Sequence, residues 1–340
     1  MGFTSHSKLP WDELRRRMTG AAPPAPEAAP AEVVPLRRPE QAVPWAELHT
    51  HSAYSFLDGA SDPAALAEEA VRLGVETVGL TDHDGLYGVV RFAEVAGEIG
   101  LRTVFGAELT LGPDEHLLVL ARSETGYRRL SATIAAAQLA GGTKGRPRYD
   151  FAELAAAHGG EWAVLTGCRK GRVPAALAAG GEPAAERELR SLTEAFGPEN
   201  VFVELVHQRL PEDDLRNDRL AALAARTGLG VVASNNVHHA SPAQGRLAQG
   251  LAALHGRDTL RQGGRAHDRL RRRPPALRPG DGRPAGPVSR SAGGHRGVGA
   301  VLRLRLRGDG AGPARLPGAR GGDRGRSAAH PGRARTLPDR

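Results

Sequence analysis

The chain has 340 residues with 46 Lys and Arg against 38 Asp and Glu, a formal charge of +8, and is long enough for one large α/β domain or two small ones. The excess is local: residues 251–340 hold 21 Arg, no Lys, 6 Asp and no Glu, which leaves a balance of −7 on the first 250, so the basic total does not mark that part as a nucleic-acid binder. A single cysteine, Cys168, excludes an internal disulfide framework, no apolar run approaches the ~20 residues needed to span a bilayer, and the first twenty residues lack the apolar core of a signal peptide, so a cytoplasmic protein without a membrane partner is expected.

Residues 1–20 form one short predicted helix with Trp11, Leu14 and Met18 on a shared face. Residues 21–44, rich in Pro and Ala, read as a linker. An ordered domain is expected over 45–255. Within it, short apolar runs alternate with amphipathic stretches. The predicted strands are Glu47–Thr50, Thr77–Thr81, Thr103–Leu109, Leu117–Ala121, Ala163–Gly167, Val201–Leu205 and Gly230–Ser234. Predicted helices include Pro63–Leu73, Leu86–Ile99, Gly126–Leu139 and Asp213–Arg226. The first has Ser61 or Asp62 as cap, Pro63 in its first turn and Gly74 as terminator. Strands alternating with helices predict an α/β fold with a parallel sheet covered on both sides, either open or closed into a barrel. The pattern alone does not separate the two.

Side chains that bind metals gather at the strand ends. His49, His51 and Asp58 follow the first strand; Asp82, His83 and Asp84 follow the second; Glu108 is near the end of the third. Cys168 follows the fifth, His207 the sixth, and Asn235, Asn236, His238 and His239 the seventh. His116 is the exception, because it opens the fourth strand. In α/β barrels the rim at the C-terminal strand ends is where loops converge and sites are built. Imidazoles, carboxylates and one thiol suit zinc, manganese or iron, and their number exceeds one tetrahedral site. Two or three clustered ions would serve phosphoester hydrolysis. Taken singly, these signals are weak. Alternating His on a strand is often structural, a lone Cys is more often a small core residue, and TDHDGLYG at 81–88 could be only a turn. His158 and His255 are expected on solvated helix faces, Lys144–Arg148 in a solvated loop, and Gly141 and Gly142 in a turn, since they lack the spacing and lysine of a phosphate loop.

The segments AELHTHSAYSFLDGA (46–60), VGLTDHDGLYGVVRF (78–92), RTVFGAEL (102–109), HLLVLARSETGYRRLS (116–131), LTGC (165–168) and VVASNNVHHASPAQGRLA (231–248) together resemble the polymerase-and-histidinol-phosphatase (PHP) domain of C-family, DNA polymerase III α-type enzymes. The likeness spans about 45–250. ETGYRRLS resembles the polymerase type more than free-standing phosphatases, and the N-terminal extension with Asn-Asn-Val-His is most similar to the error-prone, damage-tolerant branch. The resemblance implies a distorted seven-stranded (β/α) barrel with up to three divalent metal ions. It assigns their ligands to His49, His51, Asp58, His83, Glu108, His116, Cys168, Asn236 and His238. Asn236 stands where the family pattern has Asp, so the site loses one negative ligand. For the longer parent, the resemblance implies DNA-directed DNA synthesis in damage tolerance and repair, with DNA and other damage-tolerance replication proteins as partners. For this chain, which lacks the palm, fingers and clamp motif, it implies at most a metal-dependent phosphoesterase or 3′–5′ exonuclease. The alternatives are a non-catalytic structural barrel and a free-standing phosphatase.

The tail over 256–340 is expected to be low in complexity. Residues 251–340 contain no aromatic residue, and Gly and Pro make up 27 of the 90, too little apolar surface to offset the entropy of ordering. One reading is a disordered arm that meets phosphates electrostatically. The other is a shifted reading frame, since GC-rich DNA read out of frame yields mostly Arg, Gly, Pro and Ala; the abrupt onset favours it.

Overall fold

The structure, a computed structural model, describes residues 45–256 except Asp114 and Arg209. The expected N-terminal helix and linker lie outside the described residues. So does the tail, apart from Gly256.

The element order is β1 (Ala46–Thr50), α1 (Pro63–Arg72), β2 (Thr77–Leu80), α2 (Val89–Glu98), β3 (Arg102–Gly112), β4 (Glu115–Ala121), α3 (Glu124–Gly141), α4 (Phe151–His158), β5 (Trp162–Leu165), α5 (Arg172–Phe196), β6 (Val201–Val206), α6 (Asp213–Thr227), β7 (Gly230–Ser234), a short 3₁₀ turn at Pro242–Gln244 and α7 (Gly245–Gly256). Asp62 caps α1 by accepting from the Ala64 N–H at 2.9 Å. Pro63 fits the first turn because its missing N–H would have no intrahelical partner there. The helix faces expected to carry His158 and His255 are α4 and α7, for which no bounds were read from the sequence, and α5 was not read from the sequence. In α5 a break at Gly181 (φ 70°) ahead of Pro183 interrupts the apolar period.

The strands pair in chain order, β1 through β7. The sheet closes on itself just past β7, where His51 N–H donates to Val237 O at 2.7 Å and Val237 N–H donates to His49 O at 2.8 Å. The result is a nearly closed α/β barrel. An all-parallel sheet was expected, and here the structure differs: β4 is antiparallel to both β3 and β5. Only Pro113 and Asp114 separate β3 from β4. So short a connection can join antiparallel neighbours only, because a parallel crossover needs a dozen residues or more.

Two apolar cores flank the sheet on its helix side, one packing α1 and α2 against β2, the other packing α3 to α6 against β3 to β6. Within the barrel, Leu48, Val104, Leu118, Leu120, Ala163, Leu165, Phe202 and Val232 form an apolar plug without helix residues. Beyond the plug, the inward positions two or four residues along each strand turn polar. They are Glu108 on β3, Glu204 on β6 and Ser234 on β7, each C-terminal to its plug residue. On the reversed β4 the polar residue, His116, is N-terminal to Leu118. All four therefore reach the same end of the barrel.

Candidate metal centre

Strand β1 supplies the deepest ligand-type side chains. Its register with β2 shifts between Glu47 and Thr50, and such an irregularity re-aims side chains along a strand. Leu48 joins the plug while His49 and His51, both fully buried, reach the polar end. His49 lies between two carboxylates: Nδ1 is 2.9 Å from Glu204 Oε1 and Nε2 is 3.4 Å from Glu108 Oε2. His51 Nε2 lies 3.2 Å from the same Glu108 oxygen.

Glu108 is the hub. Beyond His49 and His51, its Oε2 is 3.6 Å from His83 Nε2, and its Oε1 is 3.1 Å from His116 Nδ1 and 3.9 Å from Cys168 Sγ. Asp58 is a second, more open hub, with Oδ2 at 3.2 Å from His83 Nε2 and 3.1 Å from His238 Nδ1. The imidazoles pack ring to ring, with His51 stacked on His83 and on His238 at centroid distances of 4.6 and 4.7 Å. Three overlapping triads result, His49–His51–Glu108, His51–Asp58–His238 and His83–Glu108–His116, each with ligand atoms within 4.8 Å of one another.

Eight of the nine residues assigned by resemblance are thus linked through direct contacts. Asn236 stands beside them, two residues before His238. It is buried, in the left-handed conformation (φ 48°), and its Oδ1 has no hydrogen-bond partner among the described residues. Among the described residues, the other two non-glycine residues with positive φ also adjoin the pocket: Leu57 precedes Asp58 and Asp84 follows His83. Strained backbone gathered at one pocket is characteristic of sites whose geometry the surrounding fold over-determines. His116 reaches the rim because β4 is reversed, which supplies the local reversal that its place at a strand start required.

Other candidates lie elsewhere. His207 pairs with Asp214 at 3.1 Å, and His239 Nδ1 meets Ser241 O at 2.8 Å. His158, expected on a solvated face, is half-buried against the Phe196 ring, with its Nδ1 accepting from Gly160 N–H at 2.9 Å. His255 is exposed, as are Lys144, Arg146 and Arg148.

Supporting groups surround these ligands; Asp82 and Asn235 were noted in the sequence as strand-end residues, whereas Glu204, Ser52, Ser55 and Glu47 were not singled out. Glu204 orients His49 and also accepts from the Ser234 hydroxyl. Asp82 accepts from Ser52 N–H, Ser52 Oγ and Ser55 Oγ, each at 2.7 Å. Ser55 is in turn 3.3 Å from His51 Nδ1. Glu47 accepts from the backbone and side-chain N–H groups of Asn235, at 3.0 and 2.8 Å. The available signal for Glu204 was a carboxylate inside the otherwise apolar run VFVELV.

The electrostatics divide the cluster. Burial pushes the His51 imidazole down to about 3, so it is neutral and free to offer a lone pair. Burial also opposes charge on His49, but Glu204 and Glu108 overcome it and hold that ring well above the ordinary histidine range. Burial would raise Glu108, yet the charge of His49 and hydrogen bonds from the surrounding imidazoles hold it well below the usual carboxylate range. Burial, reinforced by the Glu108 charge, pushes the Cys168 thiol up to about 11. The fit to divalent cations rests on direction as well as type. His51 Nε2 and His116 Nδ1 converge on Glu108 at 3.2 and 3.1 Å, and His83 Nδ1 is buried without a hydrogen-bond partner among the described residues. Imidazole, carboxylate and thiolate are the donors that zinc, manganese and iron take.

Residues 47–208 match the PHP domain family. The chain is 58% identical over 228 residues to the error-prone DNA polymerase of Mycobacterium tuberculosis, covering 64% of this chain and 21% of that protein. It is 51% identical over 266 residues to the error-prone DNA polymerase of Mycolicibacterium paratuberculosis, covering 73% and 24% respectively. The chain thus spans between a fifth and a quarter of the length of these relatives. A crystal structure from Bifidobacterium adolescentis, described as a metal-dependent phosphoesterase, is 19% identical with a TM-score of 0.43, covering 58% of this chain and 88% of that one.

Proposed function

We propose that this barrel, which matches the PHP domain family over residues 47–208 and is similar to the corresponding part of error-prone DNA polymerases, binds divalent metal ions and uses them to hydrolyse phosphoesters. The ligands are His49, His51, Asp58, His83, Glu108, His116, Cys168 and His238, with the Asn236 amide in a ninth position. Up to three ions, of zinc, manganese or iron, suit that donor set. Divalent ions in such a site supply Lewis acidity toward water and toward phosphoryl oxygens.

The protein's own contribution is placement and charge. Glu108 touches four imidazoles and the thiol at once, so it fixes the spacing between the triads. Glu204 holds His49 from behind, and outer carboxylates of this kind raise ligand basicity and fix the ring. Asp58 ties His83 to His238 at the open side. The substrate class is a phosphodiester, with 3′–5′ exonuclease chemistry as its specific form. In the longer parent protein, the barrel is the amino-terminal domain of a cytoplasmic DNA polymerase acting in damage tolerance. There DNA is held by a polymerase core, and other replication proteins of the same response are partners.

The observation that carries this reading is the convergence of six side chains, five imidazoles and a thiol, on the two carboxylates Glu108 and Asp58. Its test is metal content by elemental analysis of the purified chain, with hydrolysis of a generic phosphodiester before and after chelation. Bound metal and chelator-sensitive hydrolysis are expected. Bound metal with no hydrolysis favours the second reading, a non-catalytic barrel that supports a polymerase body, for which the neutral Asn236 is the specific support. Activity confined to small phosphomonoesters favours a free-standing phosphatase.

A further inference from the structure

The pocket opens on one side only. His49, His51 and Glu108 are sealed, whereas the side chains of His238, His83 and Asp58 are 16%, 21% and 35% exposed. The loops that border this open side carry three aromatic rings facing solvent: Tyr54 (44% exposed), Phe56 (81%) and Tyr87 (64%). Every other exposed large apolar residue among those described is aliphatic. Large exposed rings are costly to leave in water, and their gathering at one place marks a contact surface.

Their position relative to the pocket is fixed by short links. Phe56 sits between Ser55, whose hydroxyl meets His51 and Asp82, and Leu57, which leads in the left-handed conformation to Asp58. The Tyr54 ring lies over Gly88, where a Cβ would stand 3.0 Å from that ring and 3.2 Å from Asp82 Oδ2. Tyr87 neighbours Gly88 and folds over Gly85, where a side chain would strike its ring. All three rings therefore stand on the loops after β1 and β2 that also carry His51, Asp58 and His83. The loop after β5 borders the other side. Its Cys168 meets Glu108, and Lys170 O accepts from His116 N–H at 3.0 Å. That loop carries exposed Arg169 and half-buried Lys170. In the barrel order, β5 lies three strands from β2, so the loop carrying Arg169 and Lys170 lies across the barrel end from the loops carrying the rings.

We propose that Tyr54, Phe56 and Tyr87 form a nucleobase-stacking wall at the pocket mouth, with Arg169 and Lys170 taking the phosphates, so that the site receives a single-stranded nucleic-acid end. The inference rests on the metal-phosphoesterase reading for its chemistry but not for its binding. An aromatic wall beside a cationic edge is the pairing by which single strands are held without sequence preference, since every base has a π-face and every linkage a charge. A small phosphomonoester has no use for three rings.

The experiment compares two eight-residue DNA strands of equal charge, one of deoxyadenosine and one of abasic sites, binding to the full chain in chelator so that nothing is cleaved. Electrostatic attraction to Arg-rich segments of the chain is common to both strands and cancels in the ratio. The base-bearing strand should bind tighter. Tyr54→Ala, Phe56→Ala and Tyr87→Ala should each weaken it by roughly fivefold or more, the lower end of the range for one stacked base, without changing the abasic strand. Arg169→Ala with Lys170→Ala should weaken both strands and lower the salt dependence. Circular dichroism of each variant checks that the exposed replacements leave the fold intact. Equal affinity for the two strands, or ring variants that leave the ratio unchanged, would overturn the proposal. Hydrolysis assayed separately with metal restored tests the underlying reading: base-dependent binding without hydrolysis leaves the wall standing and removes the chemistry, and the converse result removes the wall alone.

Discussion

The barrel interior holds two regions within four residues of each other along the same strands. The plug is wholly apolar, Leu48, Val104, Leu118, Leu120 and their neighbours. The layer above it holds Glu108, His116, Glu204, Ser234 and the β1 histidines, almost all buried to the same degree. Equal burial with opposite chemistry means that the two layers are held differently. The plug is held by the removal of apolar surface from water, which needs no direction. The polar layer is held only if each charge meets an opposite charge, a hydrogen bond or a metal ion. It is the costlier arrangement, and its retention marks a function that the plug does not share.

The most disruptive way to probe that difference is Glu108→Gln. Removing a carboxylate that faces four imidazoles leaves the buried His49 with Glu204 as its one carboxylate partner and breaks a buried charge network, at a cost of up to about 3–5 kcal/mol. Denaturant unfolding should show that loss, and elemental analysis should show metal falling with it. Leu118→Ala in the plug should cost a comparable amount, about 2–5 kcal/mol, yet leave the metal content of the folded fraction unchanged. If Leu118→Ala removed metal as fully as Glu108→Gln, the two layers would not be separable.

A finer break is Glu204→Gln, which keeps a hydrogen bond to His49 but withdraws the charge behind it. Loss of such a supporting carboxylate typically lowers metal affinity about 10- to 100-fold. A competitive titration with a zinc chelator measures it, and unchanged affinity would confine Glu204 to folding. At the open side, Asp58→Asn should have a smaller effect on stability, under about 1 kcal/mol, because its pairs with His83 and His238 are partly solvated. The metal lost should be the fraction nearest the mouth, seen as reduced stoichiometry with the deep ion retained.

Legibility in the sequence followed the same division. The β1 and β2 residues His49, His51, Asp58 and His83 stand in dense local clusters at strand ends, so their gathering could be read before any coordinates. Glu108 was legible as a strand-end carboxylate, but nothing local shows that it would be the hub of four imidazoles, since those contacts join residues up to sixty positions apart. His116 looked misplaced because strand direction is not a property of the strand itself. It followed from the two-residue connection at Pro113 and Asp114, whereas the predicted strands, ending at Leu109 and starting at Leu117, left a longer link. Glu204 was missed for a related reason. A single carboxylate in an apolar run carries no sign of its partner, and His49 is 155 residues away. Helix α5 went unread because Gly180, Gly181 and Pro183 break its apolar period where the two helical halves meet at Gly181.

The gentlest substitution is Asn236→Asp, and it bears most directly on what the polar layer is for. The backbone there has φ 48°, a conformation that Asn and Asp both tolerate better than other non-glycine residues, so the exchange should leave folding almost untouched. The Asn236 side chain is buried with its Oδ1 unmatched among the described residues, which is a poor use of an amide and a good position for a ligand oxygen. An amide oxygen can coordinate a cation but brings no charge. A carboxylate at the same point would add charge beside several imidazoles, strengthen the hold on an ion near His238 and supply a group able to orient water. Eight ligand-type side chains remain without it, and a tetrahedral site needs only four. Metal is therefore expected in both forms, with hydrolysis of a DNA 3′ end weak in the unaltered chain and raised in Asn236→Asp. Paired elemental analysis and end-labelled hydrolysis read both quantities. Equal, robust hydrolysis by the unaltered chain would show that the neutral amide is no handicap, and the structural-barrel reading would lose its one specific support.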